Sequence, residues 1–147
     1  MQVRDAMSKP VLVVGPDHTL RQVAQLMSAR RVGSAIVVDP DSAGVGIFTE
    51  RDLLYAVGAG LDPDTELVRD HLTRDAVYAV PEWTLTQAAA TMARGGFRHL
   101  VVMEGQEVLG VLSVRDLIRV WAEEHPAEGP GAREPVASPG RAAGPVA

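Results

Sequence analysis

The phrase Gly46-Ile47-Phe48-Thr49-Glu50-Arg51-Asp52-Leu53-Leu54 returns 64 residues later as Gly110-Val111-Leu112-Ser113-Val114-Arg115-Asp116-Leu117-Ile118. Each version reads Gly, two apolar residues, a hydroxyl, two spacers, Asp, then apolar residues. A repeat at a fixed offset constrains a fold more than any local signal, because both copies must find the same structure. The repeat extends well beyond this phrase. At an offset of 65, Val3-Arg4-Asp5 matches Val68-Arg69-Asp70 and Thr19-Leu20 matches Thr84-Leu85. Ala24 and Met27 match Ala89 and Met92, and Ala35-Ile36-Val37-Val38 aligns with Leu100-Val101-Val102-Met103. The duplication covers residues 3 to about 122. Two copies are too few for a solenoid, so they are expected to pack on each other as a pseudo-symmetric pair.

Both copies share one order of elements. A short apolar run, 11–14 or 76–80, reads as a strand. A turn follows at Gly15-Pro16-Asp17 or Pro81-Glu82. Leu20, Val23, Ala24 and Met27 then fall on one helical face, as do Leu85, Ala88, Ala89 and Met92. Thr19 and Thr84 are the expected N-caps. Two more strands follow in each copy, at 35–38 and 45–48 and at 99–103 and 108–112. A closing helix carries Leu53, Leu54 and Val57, or Leu117, Ile118, Val120 and Trp121. The order β-α-β-β-α, met twice, predicts a mixed α/β (α+β) layered fold. Its parts are a first repeat over 1–62, a second over 63–122, and a Pro/Gly/Ala-rich segment over 123–147. That last segment has no periodicity and is expected to be disordered.

Bulk properties narrow the function. With 46% hydrophobic and 22% charged residues, the composition is that of a soluble globular protein. Aromatics are only 4%, so the core is expected to rest on Val, Leu, Ala and Met. The absence of cysteine excludes disulfides, cysteine nucleophiles and thiolate metal sites, and fits a reducing cytosol. A net charge of −5, with 14 scattered basic residues against 19 acidic ones, argues against nucleic-acid binding. No apolar run is long enough to span a membrane, and MQVRDAMSKP has no signal-peptide core, so a cytoplasmic location is expected. Catalysis is not expected either. The histidines at 18, 71, 99 and 125 stand in unlike contexts, and none has a second His four residues on for a zinc site. Neither a P-loop nor GxGxxG occurs.

The repeated phrase supports two readings. A hydroxyl followed three residues later by an acid is close to a capping box, so Thr49 with Asp52, and Ser113 with Asp116, could simply start helices. The same geometry suits a nucleotide. A helix N-terminus attracts phosphate, the hydroxyl can donate to it, and the carboxylate can accept two hydrogen bonds from a ribose diol.

The doubled order resembles the cystathionine β-synthase (CBS) domain pair, or Bateman module. The residues that carry the resemblance are VRDAM and VRDHL, TLRQVAQLM and TLTQAAATM, RHLVVMEGQEVLGVLS, and the phrases GIFTERDLL and GVLSVRDLI. It covers nearly all of residues 1–122. The resemblance implies two repeats packed through their sheets in a pseudo-two-fold pair. It also implies clefts that take an adenosine nucleotide (AMP, ADP or ATP) or S-adenosylmethionine as a regulatory ligand, with no required cofactor or metal. Asp52 and Asp116 are then the expected ribose acceptors, with Thr49 and Ser113 beside the phosphate. Arg98 and His99 are expected to contact phosphate, in the cleft that uses Ser113 and Asp116. Their counterparts in the first copy are Gly33 and Ser34, so the two clefts should differ. Val11 and Val77 are placed near the adenine, and Lys9 either within reach of a phosphate or on the solvated surface. Further implications are a disc-shaped homodimer and an unknown effector protein that receives the signal. The alternative is a dimerisation or docking module whose clefts are vestigial.

Overall fold

The computed structural model describes residues 1–41, 44–74 and 76–127. Each copy forms a three-stranded sheet with helices on one face. In the first, β1 (Val13–Val14) pairs parallel with β2 (Ser34–Val37), which pairs antiparallel with β3 (Gly46–Thr49). In the second, β4 (Tyr78–Ala79), β5 (His99–Glu104) and β6 (Glu107–Ser113) repeat that order. The leading strands are shorter than their apolar runs. The ladder still continues beyond β1 through one bond, from the Ile36 N–H to the Leu12 carbonyl at 2.8 Å.

The helices begin where the caps predict. α2 (Leu20–Arg30) and α4 (Leu85–Gly95) start on Thr19 and Thr84, each in a capping box completed by Gln22 or Gln87. Both end in the left-handed region, at Arg31 (φ 55°) and Gly96 (φ 69°). α3 (Glu50–Gly58) and α5 (Val114–Glu124) follow the repeated phrase. Glu123 and Glu124 therefore belong to α5, and the expected disordered segment falls outside the described residues from 128 on.

Alternation along the strands sorts side chains between three cores. Ala35, Val37 and Phe48 face α2 with Leu20, Val23 and Met27. Leu100, Val102 and Leu112 face α4 with Ala88 and Met92. The opposite faces meet in the middle, where Ile36, Ile47, Val101 and Val111 pack the two sheets together. The pair is thus joined through its sheets, and each β2 or β5 residue in the centre is buried on one side or the other.

The copies also exchange their leading segments. A short helix α1 (Val3–Ala6) puts Val3 and Ala6 into the core of the second sheet, while Val68, in a 3-10 turn over Val68–Asp70, enters the core of the first. Each leading segment then lies along the edge of the other copy's sheet. Ser8 exchanges two backbone bonds with Val111 (2.9 and 3.1 Å), and Thr73 does the same with Ile47 (2.8 and 3.0 Å). Gly110 and Gly46 are what permit this. A Cβ on Gly110 would stand 2.9 Å from the Ser8 carbonyl oxygen, and one on Gly46 would stand 2.7 Å from a Leu72 methyl.

Two apolar sets turn outward. Leu54, Tyr55 and Val57 on α3, and Ile118 and Trp121 on α5, are exposed, Leu54 at 68% and Trp121 at 62%. Apolar content alone does not assign these faces, because Leu53 and Ala56 on α3 and Val114, Leu117 and Val120 on α5 take the core side.

Candidate functional site

The repeated phrase builds both a cap and a cleft. The Thr49 N–H donates to Asp52 Oδ2 (2.9 Å), and the Asp52 N–H donates to Thr49 Oγ1 (3.4 Å). In the second copy the Ser113 N–H donates to Asp116 Oδ2 (2.8 Å), and the Asp116 N–H donates to Ser113 Oγ (3.2 Å). Each hydroxyl also donates to its carboxylate, at 3.1 and 3.0 Å. These are complete capping boxes. They consume part of what a ligand would use. The first N–H of α5, on Val114, is already held by the Arg98 carbonyl at 2.9 Å, and that of α3, on Glu50, by the Gly33 carbonyl at 3.0 Å.

Beside each cap lies a cavity made by both copies. The larger, about 580 Å³, brings Ser113 and Asp116 together with Val11 from the first copy. The smaller, about 240 Å³, brings Thr49 and Asp52 together with Val77 from the second. The residues expected near the adenine and those expected near the ribose are thus combined crosswise, strand entry of one copy with helix start of the other. Arg98 and His99 line the Asp116 cleft, and they also line the Asp52 cleft. Lys9 lines neither. It borders a separate recess with Arg4, Asp5 and Glu107.

Four charged residues at these clefts escaped the sequence reading. Arg51 lines the Asp52 cleft, Arg31 and Arg115 line the Asp116 cleft, and Glu50 lines both. The signal for Arg51 and Arg115 was present in the repeat itself, as Arg51-Asp52 and Arg115-Asp116. For Glu50 there was none, since Val114 stands in its place in the second copy.

The two carboxylates differ in their second oxygen. Asp116 Oδ1 accepts a hydrogen bond from Ser8 Oγ (3.1 Å) and lies 3.8 Å from the Arg119 guanidinium, and the residue is only 7% exposed. Arg119 also donates to the Ala6 carbonyl (3.1 Å), so the leading segment is tied down over Asp116. Among the described residues nothing equivalent holds Asp52 Oδ1. The positions corresponding to Ser8 and Arg119 are Thr73 and Tyr55. His99 sits at the start of β5 opposite Ser113. Burial pushes its pKa below the ordinary 6.5, against the pull of Glu50 and Asp116 in the other direction.

Among the described residues, no group of three or more His, Asp or Glu side chains could hold a metal ion. No helix among them is long and apolar enough to cross a membrane.

Comparison with known proteins agrees with this architecture. An archaeal protein of Methanocaldococcus jannaschii is 29% identical over 127 residues, 84% of this chain, which spans 45% of that protein. A 17.7 kDa protein of Acidianus ambivalens is 34% identical over 116 residues, covering 78% of this chain and 70% of the relative. Among solved structures, a CBS domain protein of Pyrobaculum aerophilum complexed with AMP superposes with a TM-score of 0.72 at 29% identity, over 80% of this chain and 90% of that one. The family model for the CBS domain matches twice, over residues 3–59 and 68–123. With both repeats matched and folded as a sheet-packed pair, the chain belongs to the CBS domain family.

Proposed function

We propose that this CBS pair is a regulatory module that binds an adenosine nucleotide or S-adenosylmethionine in its clefts and passes the signal to a separate effector protein. The observation that carries the reading is the crosswise assembly of each cleft. A capped helix start with a carboxylate faces the apolar strand entry of the other copy inside one cavity. An adenosine ligand needs that combination: an apolar slot for the base, a carboxylate for the diol, and donors with positive charge for phosphate. The AMP complex of the Pyrobaculum relative supports it.

In this reading Asp52 and Asp116 accept the ribose hydroxyls, and Thr49 and Ser113 turn their hydroxyls to the phosphate. Arg98 supplies a permanently charged fork and His99 a titratable donor. Val11 and Val77 flank the base. Lys9, facing another recess, is left with the solvated role. No catalytic residue is assigned. The test is calorimetry and thermal melting against AMP, ADP, ATP and S-adenosylmethionine. A ligand present at 100 times its Kd raises stability by about 2.7 kcal/mol. No heat and no melting shift with any of them at millimolar concentration overturns the reading.

A second reading, a dimerisation or docking module with vestigial clefts, is favoured by one observation. The outward apolar residues of α3 and α5 form unpartnered helix faces, Leu54 and Trp121 among them. A homodimer through these faces serves either reading. Sedimentation distinguishes them together with the ligand panel: a dimer that binds nothing supports docking alone.

A further inference from the structure

Glu50, Arg98 and His99 are the residues common to both clefts. The pseudo-two-fold relation carries Arg98 and His99 onto Gly33 and Ser34. A symmetric pair would have one Arg-His wall for each cleft; this molecule has one for two, beside the private arginines Arg51 of the Asp52 cleft and Arg31 and Arg115 of the Asp116 cleft. Gly33 lets that wall be thin. A Cβ there would stand 3.3 Å from a Glu50 carboxylate oxygen and 3.4 Å from His99 Nε2, so imidazole and carboxylate converge in space that a side chain would fill. Arg98 is exposed, and among the described residues it makes no ion pair. Its guanidinium is uncommitted on the partition between the cavities.

We propose that Arg98 and His99 form a single phosphate-recognising wall shared by the two clefts, so that a phosphate-bearing ligand in one weakens binding of a second in the other. This rests on the adenosine-nucleotide reading above. A guanidinium has one fork and serves one phosphate bidentately at a time. Two phosphates on opposite sides of the wall also repel each other, and Glu50 between them adds negative charge rather than screening it. An adenosine ligand without phosphate has nothing to compete for.

Calorimetric titration with AMP tests this. Asp52→Asn and Asp116→Asn each remove the charged diol acceptor of one cleft and keep a side-chain oxygen for the cap. They give the intrinsic affinity of the remaining cleft. In the unmodified protein the second AMP is expected to bind about tenfold more weakly than the same cleft does alone, a factor typical of coupled sites. The difference disappears with adenosine in place of AMP. It also disappears in Arg98→Ala, an exposed position whose truncation leaves the fold intact. Should an Asn variant fail to fold, the unmodified protein against Arg98→Ala suffices: the spacing between the two AMP steps narrows if the wall is shared. An unmodified AMP isotherm equal to the sum of the two single-cleft isotherms, or step spacing unchanged in Arg98→Ala, overturns the shared wall and leaves the adenosine reading standing. No heat with either AMP or adenosine overturns both.

Discussion

The Asp52 and Asp116 clefts grow from the same repeated phrase and end up unequal. In both, Oδ2 is bound within the capping box. At Asp116 the other oxygen is also engaged, by Ser8 and beside Arg119, and the carboxylate is buried under the leading segment. At Asp52 that oxygen has no counterpart bond among the described residues. The duplication preserved what is local, the three-residue cap. It did not preserve the side-chain contacts of Ser8 and Arg119 with Asp116: Thr73 and Tyr55 stand at the matching positions, although the segment crosses in both copies. Under the proposed adenosine reading, the smaller cleft offers a diol an oxygen with no bond among the described residues, whereas in the larger one Ser8 already donates to it.

The largest expected effect comes from closing the glycine gaps. In Gly110→Ala the new methyl meets the Ser8 backbone carbonyl at 2.9 Å, and backbone cannot rotate away. A loss of about 2 kcal/mol in denaturant unfolding is expected. Gly46→Ala meets chiefly a Leu72 methyl, with the Thr73 carbonyl at a tolerable 3.4 Å. It should cost less than about 1 kcal/mol. Equal losses would mean the two crossings are equally tight.

Next come the carboxylates. Asp116→Ala removes a cap and strands Ser8, for about 2 kcal/mol of ligand-free stability. Asp52→Ala removes a cap alone, for about 1 kcal/mol. Urea midpoints of the two variants, with m unchanged, measure the gap. Comparable to Asp52→Ala is Ser8→Ala. It should lower stability by about 1 kcal/mol and free Asp116 Oδ1, so AMP affinity of the larger cleft should rise. A fall in affinity would instead give Ser8 a role in binding.

The smallest effect is in pH. Burial holds folded His99 below its ordinary 6.5, so the unfolded chain takes up the proton first. The stability contribution is full above that value and declines as pH falls below it. His99→Gln should flatten this slope in thermal melts between pH 7 and 5. A bound phosphate favours the charged imidazole, so saturation with AMP should flatten it too.

Much of this was legible in the sequence, and for physical reasons. Caps at Thr19, Thr49, Thr84 and Ser113 are three-residue events, fully specified by neighbours in the chain. Strand alternation was also local. What stayed hidden required distant partners. Arg98 and His99 were expected beside Ser113, and the ladder does set His99 opposite it. Their second exposure, to the Asp52 cleft, follows from how two sheets stack, which no spacing encodes. Leu54, Val57, Ile118 and Trp121 carried the same apolar signal as core residues, yet face outward, because hydrophobicity alone does not say which surface covers a side chain. Lys9 lies only two residues before Val11, yet it lines a different recess.

The crossed leading segments carry a consequence for ancestry. Each copy's core includes a Val that belongs to the other copy's sequence, Val68 in the first and Val3 in the second. A lone copy would lack that side chain and leave a glycine-lined sheet edge bare. It could complete itself only by borrowing the segment from another chain. The pair is thus arranged like a segment-swapped dimer joined in one chain, and separating its halves should yield proteins that reassociate rather than two independent folders.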